Sequence, residues 1–149
     1  NYLVKVIEFD ELWDKTLIEI GNIYKLSSKN KTSGEMSFVF ASNKASDFID
    51  CGMMNNEIYV EYINRIFEST LDGKIDIKLK SKDKYATKVD VVTKFRFISK
   101  ETGTRWTFQT NKSKSILVGN PAYGADPYRD CQSKHFLEAS ILNQIASLK

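Results

Sequence analysis

The fold of this chain is decided by two neighbouring segments, KIDIKLKSK from Lys74 to Lys82 and TKVDVVTKFRFI from Thr87 to Ile98. Both alternate apolar and polar residues, which is the period of a β-strand with one buried face. Asp83-Lys84 and Glu101-Thr102-Gly103 supply turns, and Arg105 to Asn111 continues the pattern, so the sequence predicts three consecutive antiparallel strands. The residues expected to point inward are Ile75, Ile77, Leu79, Val89, Val91, Phe95, Phe97, Trp106 and Phe108.

The outward positions of the same strands are rich in cations. If the strands pair in sequence order, one face of the sheet carries Lys78, Lys80, Lys82, Lys88, Lys94, Arg96 and Arg105. Such a face attracts the phosphate groups of lipid, lipopolysaccharide or nucleic acid, although a solvated charged face is also ordinary in a Lys-rich protein. The sequence shows no exposed aromatic residues among these cations to stack on bases, which argues against RNA.

A helix and a hairpin are predicted before these strands. Asp10 is the expected N-cap of an amphipathic helix over about residues 10–20, and Gly21 is expected to end it. Ile23 to Ser28 and Glu35 to Ala41 have the composition of two strands joined by a turn. Tyr2 to Ile7 is a short apolar lead-in, expected as a strand or an extended arm, and after it a helix is followed by a β-hairpin.

The remaining segments are less regular. Ser42 to Asn56 has no period and reads as a loop, whereas Tyr59 to Leu71 fits one helical face better than it fits alternation. Gly119 to Arg129 contains both prolines and is a second predicted loop. A final helix is expected from Ser133, with an apolar stripe formed by Leu137, Ile141, Leu142, Ile145 and Leu148.

Together these elements predict an α+β fold. It consists of one antiparallel sheet of about five strands, with the N-terminal and C-terminal helices packed on its apolar face as in helix-grip proteins. The chain has 149 residues, of which 42% are hydrophobic and 28% charged, so a single domain over residues 1–149 is expected. The net charge of +3 does not by itself indicate a polyanionic partner.

The two cysteines, Cys51 and Cys131, stand in the polar contexts FIDCGMM and YRDCQSK. Buried free thiols favour apolar neighbours, so these contexts favour a disulfide formed in an oxidising compartment over two unrelated free thiols. Neither cysteine belongs to a C-x-x-C pair, and the single histidine, His135, cannot complete a zinc site with them. No metal and no cofactor is predicted.

Catalytic motifs are absent from the sequence. His135 stands close to Ser133 and Asp130, but there is no G-x-S-x-G segment, and sequence proximity at a helix start does not create a triad. Phosphate-binding glycine motifs are also missing. The sequence therefore predicts a protein that is not an enzyme and has no catalytic residues.

Several short motifs follow one another in a characteristic order: Phe9 to Trp13, Lys31-Thr32-Ser33-Gly34, Asp50-Cys51-Gly52, Thr87 to Val91, Trp106 to Thr110, and Cys131 to Glu138. In this order they resemble small bacterial envelope lipoproteins that are similar in shape to the outer-membrane assembly lipoprotein BamC. The resemblance covers nearly the whole chain, with short motifs. His135 departs from it, because Gly is expected after the serine.

The resemblance implies a BamC-like fold, export to the periplasm and anchoring to the outer membrane through a lipid-bearing cysteine in a segment upstream of Asn1. It agrees with pairing of Cys51 and Cys131, and it supplies no catalytic residues. The implied role is that of an accessory or scaffold domain that docks other envelope proteins, as part of a larger assembly.

Two other functions stay open. One is a helix-grip carrier for an apolar ligand, and the other is a basic sheet face that binds anionic lipid or, less readily, nucleic acid. A carrier needs a cavity of roughly a few hundred Å³ between helix and sheet. In a docking domain the same space is filled by large side chains, here Trp13, Phe38, Phe40, Phe95, Trp106 and Phe108.

Overall fold

Antiparallel strands and helices near both ends form an α+β fold, as the sequence predicts. The computed structural model describes residues 2–66, 69–99, 104–110, 112, 116–118 and 131–149. The described helices are α1 (Phe9–Gly21), α2 (Tyr59–Ile66) and α3 (Phe136–Ala146). The strands are β1 (Tyr2–Lys5), β2 (Lys25–Asn30), β3 (Glu35–Ser42), β4 (Ile49–Asp50), β5 (Met53–Met54), β6 (Glu57–Ile58), β7 (Ser69–Asp83), β8 (Ala86–Ser99), β9 (Arg105–Gln109), β10 (Ile116–Val118) and β11 (Gln132–Ser133).

The chain divides into two compact units. The first contains Asn1–Phe40, Lys74–Thr93 and Leu137–Lys149, and the second contains Ala41–Gly73 and Lys94–Phe136. Because β7 and β8 are long, each contributes residues to both units. The expectation of a single domain over residues 1–149 stays a prediction.

In the first unit the strand order is β2–β3–β7–β8, and β1 pairs antiparallel with the first residues of β8. In a strand, every second side chain points to the same face of the sheet. The inward side chains predicted for this part of β7 and β8 are Ile75, Ile77, Leu79, Val89 and Val91, and all of them are buried. Helices α1 and α3 bury their apolar faces in the same unit. The core residues that they contribute are Leu12, Trp13, Ile20, Leu137, Ile141 and Ile145.

The start of α1 differs from the prediction. Glu8, not Asp10, is the N-cap, and its side chain makes no capping hydrogen bond. Asp10 lies in the first turn, where a carboxylate is favoured by the helix dipole, and it pairs with Lys31 at 2.9 Å. The helix nevertheless covers the predicted span because its apolar residues recur with helical spacing.

Gly34 closes the turn between β2 and β3. Its φ of +74° is a conformation that L side chains rarely adopt, and a Cβ there would lie 2.1 Å from the Leu79 carbonyl oxygen. The Leu79 N–H donates a hydrogen bond to the Gly34 carbonyl at 2.8 Å. The glycine therefore allows this turn to approach the backbone of β7.

In the second unit the end of β8 pairs antiparallel with β9, and β9 pairs with β10. Phe95 lies opposite Phe108 and Phe97 opposite Trp106, and the rings of these pairs stack at centroid distances of 5.0 and 5.5 Å. Such cross-strand aromatic pairs stabilise a sheet by about 0.2–1 kcal/mol each relative to alanine pairs. The inward residues predicted for this part of β8 and for β9 are therefore buried and paired with one another.

Three boundaries are corrected by the structure. Within residues 59–71, Tyr59–Ile66 form α2, whereas Ser69 to Leu71 already belong to the strand β7. The segment read as a loop, Ser42 to Asn56, contains a short 3₁₀ helix as well as β4 and β5. The last helix begins at Phe136, since Ser133 belongs to β11. The predicted turn at Glu101-Thr102-Gly103 and the predicted loop Gly119 to Arg129 lie outside the described residues.

Candidate functional site

A disulfide joins Cys51 to Cys131, which confirms the predicted pairing. The sulfurs are 2.02 Å apart, the Cα atoms are 4.1 Å apart, and 80 positions separate the two residues in sequence. Both cysteines are buried. In the chain-entropy model a crosslink that closes a loop of this length stabilises the native state by roughly 4–5 kcal/mol.

Backbone hydrogen bonds join the residues that precede Cys51 to those that follow Cys131. Strand β4 pairs antiparallel with β11, and the Lys134 N–H donates to the Phe48 carbonyl at 2.9 Å. The Lys134 ammonium donates to the Ser46 carbonyl at 2.7 Å. The Phe48 ring meets the Phe136 ring edge to face, with centroids 5.6 Å apart. The second unit is therefore fixed locally by a covalent bond and by a short sheet.

A tight hairpin follows Cys51. Strands β5 and β6 are joined by Asn55 and Asn56, whose φ angles are +51° and +63°. Two consecutive residues with positive φ define the turn that matches the twist of a β-hairpin, and Asn tolerates this conformation better than most residues. The Tyr59 N–H donates to the Gly52 carbonyl at 3.0 Å and ties the end of the hairpin to its start. The Asn-Asn pair is the sequence signal that predicts this hairpin, and the loop assignment missed it.

This hairpin exposes large apolar side chains. Met53 and Ile58 are opposite residues of β5 and β6, and they are 58% and 42% exposed. Phe136 is also half exposed although its ring contacts Phe48. We call Met53, Ile58 and Phe136 the exposed apolar residues of the second unit. Methionine and aromatic side chains are enriched in protein interfaces and depleted from ordinary surfaces.

The residues of the predicted basic face are divided between the two units. In the first unit, Lys78 pairs with Glu35 at 3.0 Å and Lys88 pairs with Asp90 at 3.1 Å. The hydrogen bond from Lys78 and its charge hold the pKa of the Glu35 carboxyl below its usual value. Lys80 and Lys82 are exposed and make no ion pair with the described residues. Two of the four predicted cations in this unit are therefore already neutralised by neighbouring acids.

In the second unit, Arg96 donates to Asp72 at 2.8 Å. Arg105 is the register partner of Ile98, which places it on the same face of the strand pair as Arg96. Arg105 and Lys94 are exposed, and neither pairs with an acid among the residues that the structure describes. A single surface of all seven predicted cations stays a prediction.

A groove of about 760 Å³ crosses the outward face of the first unit. It is lined by acids and cations in alternation, among them Glu35, Lys74, Asp76, Lys78 and Asp90. Lys74 pairs with Asp76 at 3.3 Å, and the Ser37 hydroxyl donates to Asp76 at 2.5 Å. This mixture of charges does not favour a polyanion. The outward lysines of β7 that pair with no described acid, Lys80 and Lys82, lie farther along the strand.

Two exposed tyrosines stand among the cations of the first unit, which corrects the expectation that the cations have no aromatic neighbours. Tyr2 is 64% and Tyr85 is 65% exposed. The ammonium of Lys88 lies 4.6 Å from the Tyr2 ring centroid, and that of Lys84 lies 4.8 Å from the Tyr85 centroid. Sequence reasoning missed both because Tyr2 was assigned to an apolar lead-in and Tyr85 follows a predicted turn.

The six large side chains that distinguish a docking domain from a carrier are all buried. Trp13, Phe38 and Phe40 are buried in the first unit, and Phe95, Trp106 and Phe108 in the second. The inward faces are thus occupied by side chains at each of these positions. A polar pair is buried with them in the first unit, where the Thr93 hydroxyl donates to the Glu138 carboxylate at 2.8 Å.

No catalytic or metal-binding group is assembled in the described part of the chain. His135 is exposed, and its backbone N–H donates to the Ser133 hydroxyl at 3.0 Å, while Asp130 lies outside the described residues. No cluster of three or more His, Cys, Asp or Glu side chains that would hold a metal occurs among the described residues. Nor is any helix of that part long and apolar enough to cross a membrane. The absence of enzymatic activity and of a cofactor stays a prediction.

Comparison with known proteins gives no relative: no family model, no curated protein and no solved structure matches the chain. The structure itself shows an α+β fold with a disulfide and an antiparallel sheet. The resemblance to BamC-like envelope lipoproteins, with the function and location that it implies, stays a prediction.

Proposed function

We propose that this chain is a noncatalytic docking domain of a bacterial envelope lipoprotein, working in the periplasm as an accessory or scaffold for other envelope proteins. The observation that carries the proposal is the disulfide between Cys51 and Cys131. Disulfides form and persist in oxidising compartments such as the bacterial periplasm and are rare in the cytosol. Location in the envelope is the simplest explanation for a disulfide in this chain.

The arrangement around the disulfide supports docking. The crosslink and the β4–β11 pair fix the backbone next to the exposed apolar residues of the second unit, Met53, Ile58 and Phe136. A surface that is rigid before binding loses less conformational entropy when a partner covers it. The partner that fits is a folded envelope protein with an apolar contact surface, because the side chains to be covered are a methionine, an isoleucine and a phenylalanine.

Docking accounts for the interior better than ligand carriage does. The six large side chains that would have to leave space for an apolar ligand are buried at their predicted positions. A carrier would bury most of its ligand in an enclosed pocket between helix and sheet. The buried aromatic residues favour a filled interior and a function carried by the surface.

Location and redox state are tested together in cells. The full-length protein is expressed from its own gene, thiols are blocked before lysis, and the intact mass is compared with and without prior reduction. Export to the periplasm predicts that the cysteines react only after reduction and that the protein is released with the envelope fraction. Free cysteines in the native protein, or a cytosolic location, would contradict the proposal.

Docking is tested by site-specific photocrosslinking in cells. A photoreactive amino acid at Met53 is compared with the same group at Asn43, an exposed residue of the same unit. A crosslinked partner is then purified and bound to the isolated chain in solution. The proposal requires that the double variant Met53→Glu, Ile58→Glu weakens this binding at least tenfold while Asn43→Glu does not, and equal effects of the two would refute it.

A further inference from the structure

We infer that the turn end of the β7–β8 hairpin, together with β1, contacts the surface of an anionic lipid bilayer. This hairpin-end surface consists of Tyr2, Lys80, Lys82, Lys84, Tyr85 and Lys88, all of which belong to the first unit. It shares no residue with the exposed apolar residues of the second unit, so the inference goes beyond the proposed docking function and is tested independently of it.

Positive charge is concentrated at this end of the hairpin. Lys80 and Lys82 are exposed and pair with no acid among the described residues, and the Lys84 ammonium faces the Tyr85 ring. The acids beside these lysines are Asp83 and Asp90. The Asp83 carboxylate accepts the Tyr85 N–H at 2.7 Å, and the Asp90 carboxylate pairs with Lys88. Four lysines therefore face two carboxylates, whereas in the neighbouring groove acids and cations alternate.

The two tyrosines give this surface the composition of a membrane interface. Each presents a large ring with a polar hydroxyl, and tyrosine is enriched where a membrane meets water because one end of the side chain is apolar and the other is polar. Lysine next to such rings places positive charge at the level of anionic headgroups. The pairing of β1 with β8 brings Tyr2 beside Asp90 and Val4 beside Lys88, so β1 and the hairpin form one surface.

Exposed valines distinguish a bilayer from a soluble polyanion. Val4 is a large exposed side chain next to Lys88, and Val6, just beyond β1, is 82% exposed. Both also line an open groove of about 550 Å³ beside β1 and the end of α3. A nucleic acid would use the lysines and the tyrosine rings but would gain nothing from valines, whereas a bilayer surface accepts apolar side chains below its headgroups. The combination therefore favours lipid.

The experiment measures binding of the whole 149-residue chain to vesicles of phosphatidylcholine mixed with phosphatidylglycerol, with pure phosphatidylcholine vesicles as reference. The test variant is Lys80→Gln, Lys82→Gln, Lys84→Gln. Because each lysine near an anionic surface contributes about 1 kcal/mol, roughly fivefold in affinity, the triple variant is expected to bind about 100-fold more weakly. The matched control, Lys29→Gln, Lys74→Gln, Lys78→Gln, removes the same charge from the groove and is expected to weaken binding far less.

A second measurement reports the orientation at the surface. In the variant Tyr85→Trp the indole fluorescence should shift to shorter wavelength on anionic vesicles and not on neutral ones, because the ring leaves water for the headgroup region. Circular dichroism and the melting temperature check that every variant is folded, which is expected because the substituted side chains are exposed.

Three results would overturn the inference. The first is that the wild-type chain does not bind anionic vesicles at moderate salt. The second is equal loss of binding in the hairpin and groove variants, which would indicate attraction by net charge alone. The third is tighter binding of a single-stranded oligonucleotide than of vesicles at the same salt with the same dependence on Lys80, Lys82 and Lys84, which would assign the surface to nucleic acid. The Met53→Glu, Ile58→Glu variant should bind vesicles like the wild type, so failure of either proposal leaves the other testable.

Discussion

Removal of the disulfide is the perturbation whose size follows most directly from the structure. The crosslink joins residues 80 positions apart. For a loop of that length the chain-entropy model gives a loss of conformational entropy in the unfolded chain of about 15 cal/mol/K, or about 4.5 kcal/mol at room temperature. We therefore expect the variant Cys51→Ala, Cys131→Ala to lose roughly 3–4.5 kcal/mol of unfolding free energy, which is a large part of the total for a chain of this size.

The assay is urea unfolding of the full chain followed by circular dichroism, with three proteins compared: the oxidised wild type, the reduced wild type and the double variant. Reduction removes the crosslink but keeps both sulfurs, so the reduced wild type separates the effect of the crosslink from that of packing. We expect the reduced wild type and the double variant to agree within about 1 kcal/mol, since Ala substitution removes only a small buried side chain. The variant Met53→Ser serves as an exposed control in the same unit and should stay within about 0.5 kcal/mol of the wild type.

The result that would refute this reasoning is a loss below about 1 kcal/mol on reduction. It would mean that the unfolded chain is already restrained or that the β4–β11 pair, with the bond from Lys134 to Phe48, holds the cysteine segments without the crosslink. Amide exchange distinguishes these cases, because a stable β4–β11 pair would keep its protection after reduction.

Three further predictions concern the first unit. Gly34→Ala should lower the unfolding free energy by about 1–3 kcal/mol, because of its positive φ and the nearby backbone of β7, whereas Gly21→Ala, with open space around it, should be neutral or slightly stabilising in thermal unfolding. Thr93→Val should cost about 1–3 kcal/mol in urea unfolding because it deprives a buried carboxylate on α3 of a hydrogen bond, and Thr93→Ser should restore most of the loss. The pKa of Glu35 should be below its usual value by NMR titration and should return toward it in Lys78→Gln. Because the folded-state pKa is lowered, this contribution to stability is present at neutral pH and disappears as the pH falls through the lowered value. A Glu35 titration unchanged by Lys78→Gln, or equal melting temperatures of the two glycine variants, would contradict the corresponding prediction.

The elements with strict periodicity are those that the sequence predicts well. The inward residues of β7 and β8 follow from alternation, because one parity collects most of the apolar side chains, although Val92 stands at the outward parity and is 39% exposed. The span of α1 can be predicted from the spacing of its apolar residues. Its N-cap cannot, because the first helical residue depends on the path of the backbone that precedes the helix. The start of β7 is not evident from the sequence for a related reason: Ser69 to Leu71 are compatible with a continued helix, and the sheet to which β7 belongs is what makes them a strand.

The charged face shows where sequence reasoning fails for a surface. Alternation correctly places Lys78 and Lys88 outward, but whether an outward lysine is free depends on the acid beside it on another strand, and Glu35 is 43 positions from Lys78 in sequence. A row of cations counted along the chain therefore overstates the positive potential of a sheet that also carries acids at the same parity. Lys80 and Lys82 differ from Lys78 because no acid of the described residues pairs with them, and Tyr85 and Lys84 extend the same end of the hairpin. The outward lysines of β7 that pair with no described acid thus lie at the hairpin end, and measurements of binding should compare that end with the groove instead of treating the whole face as one site.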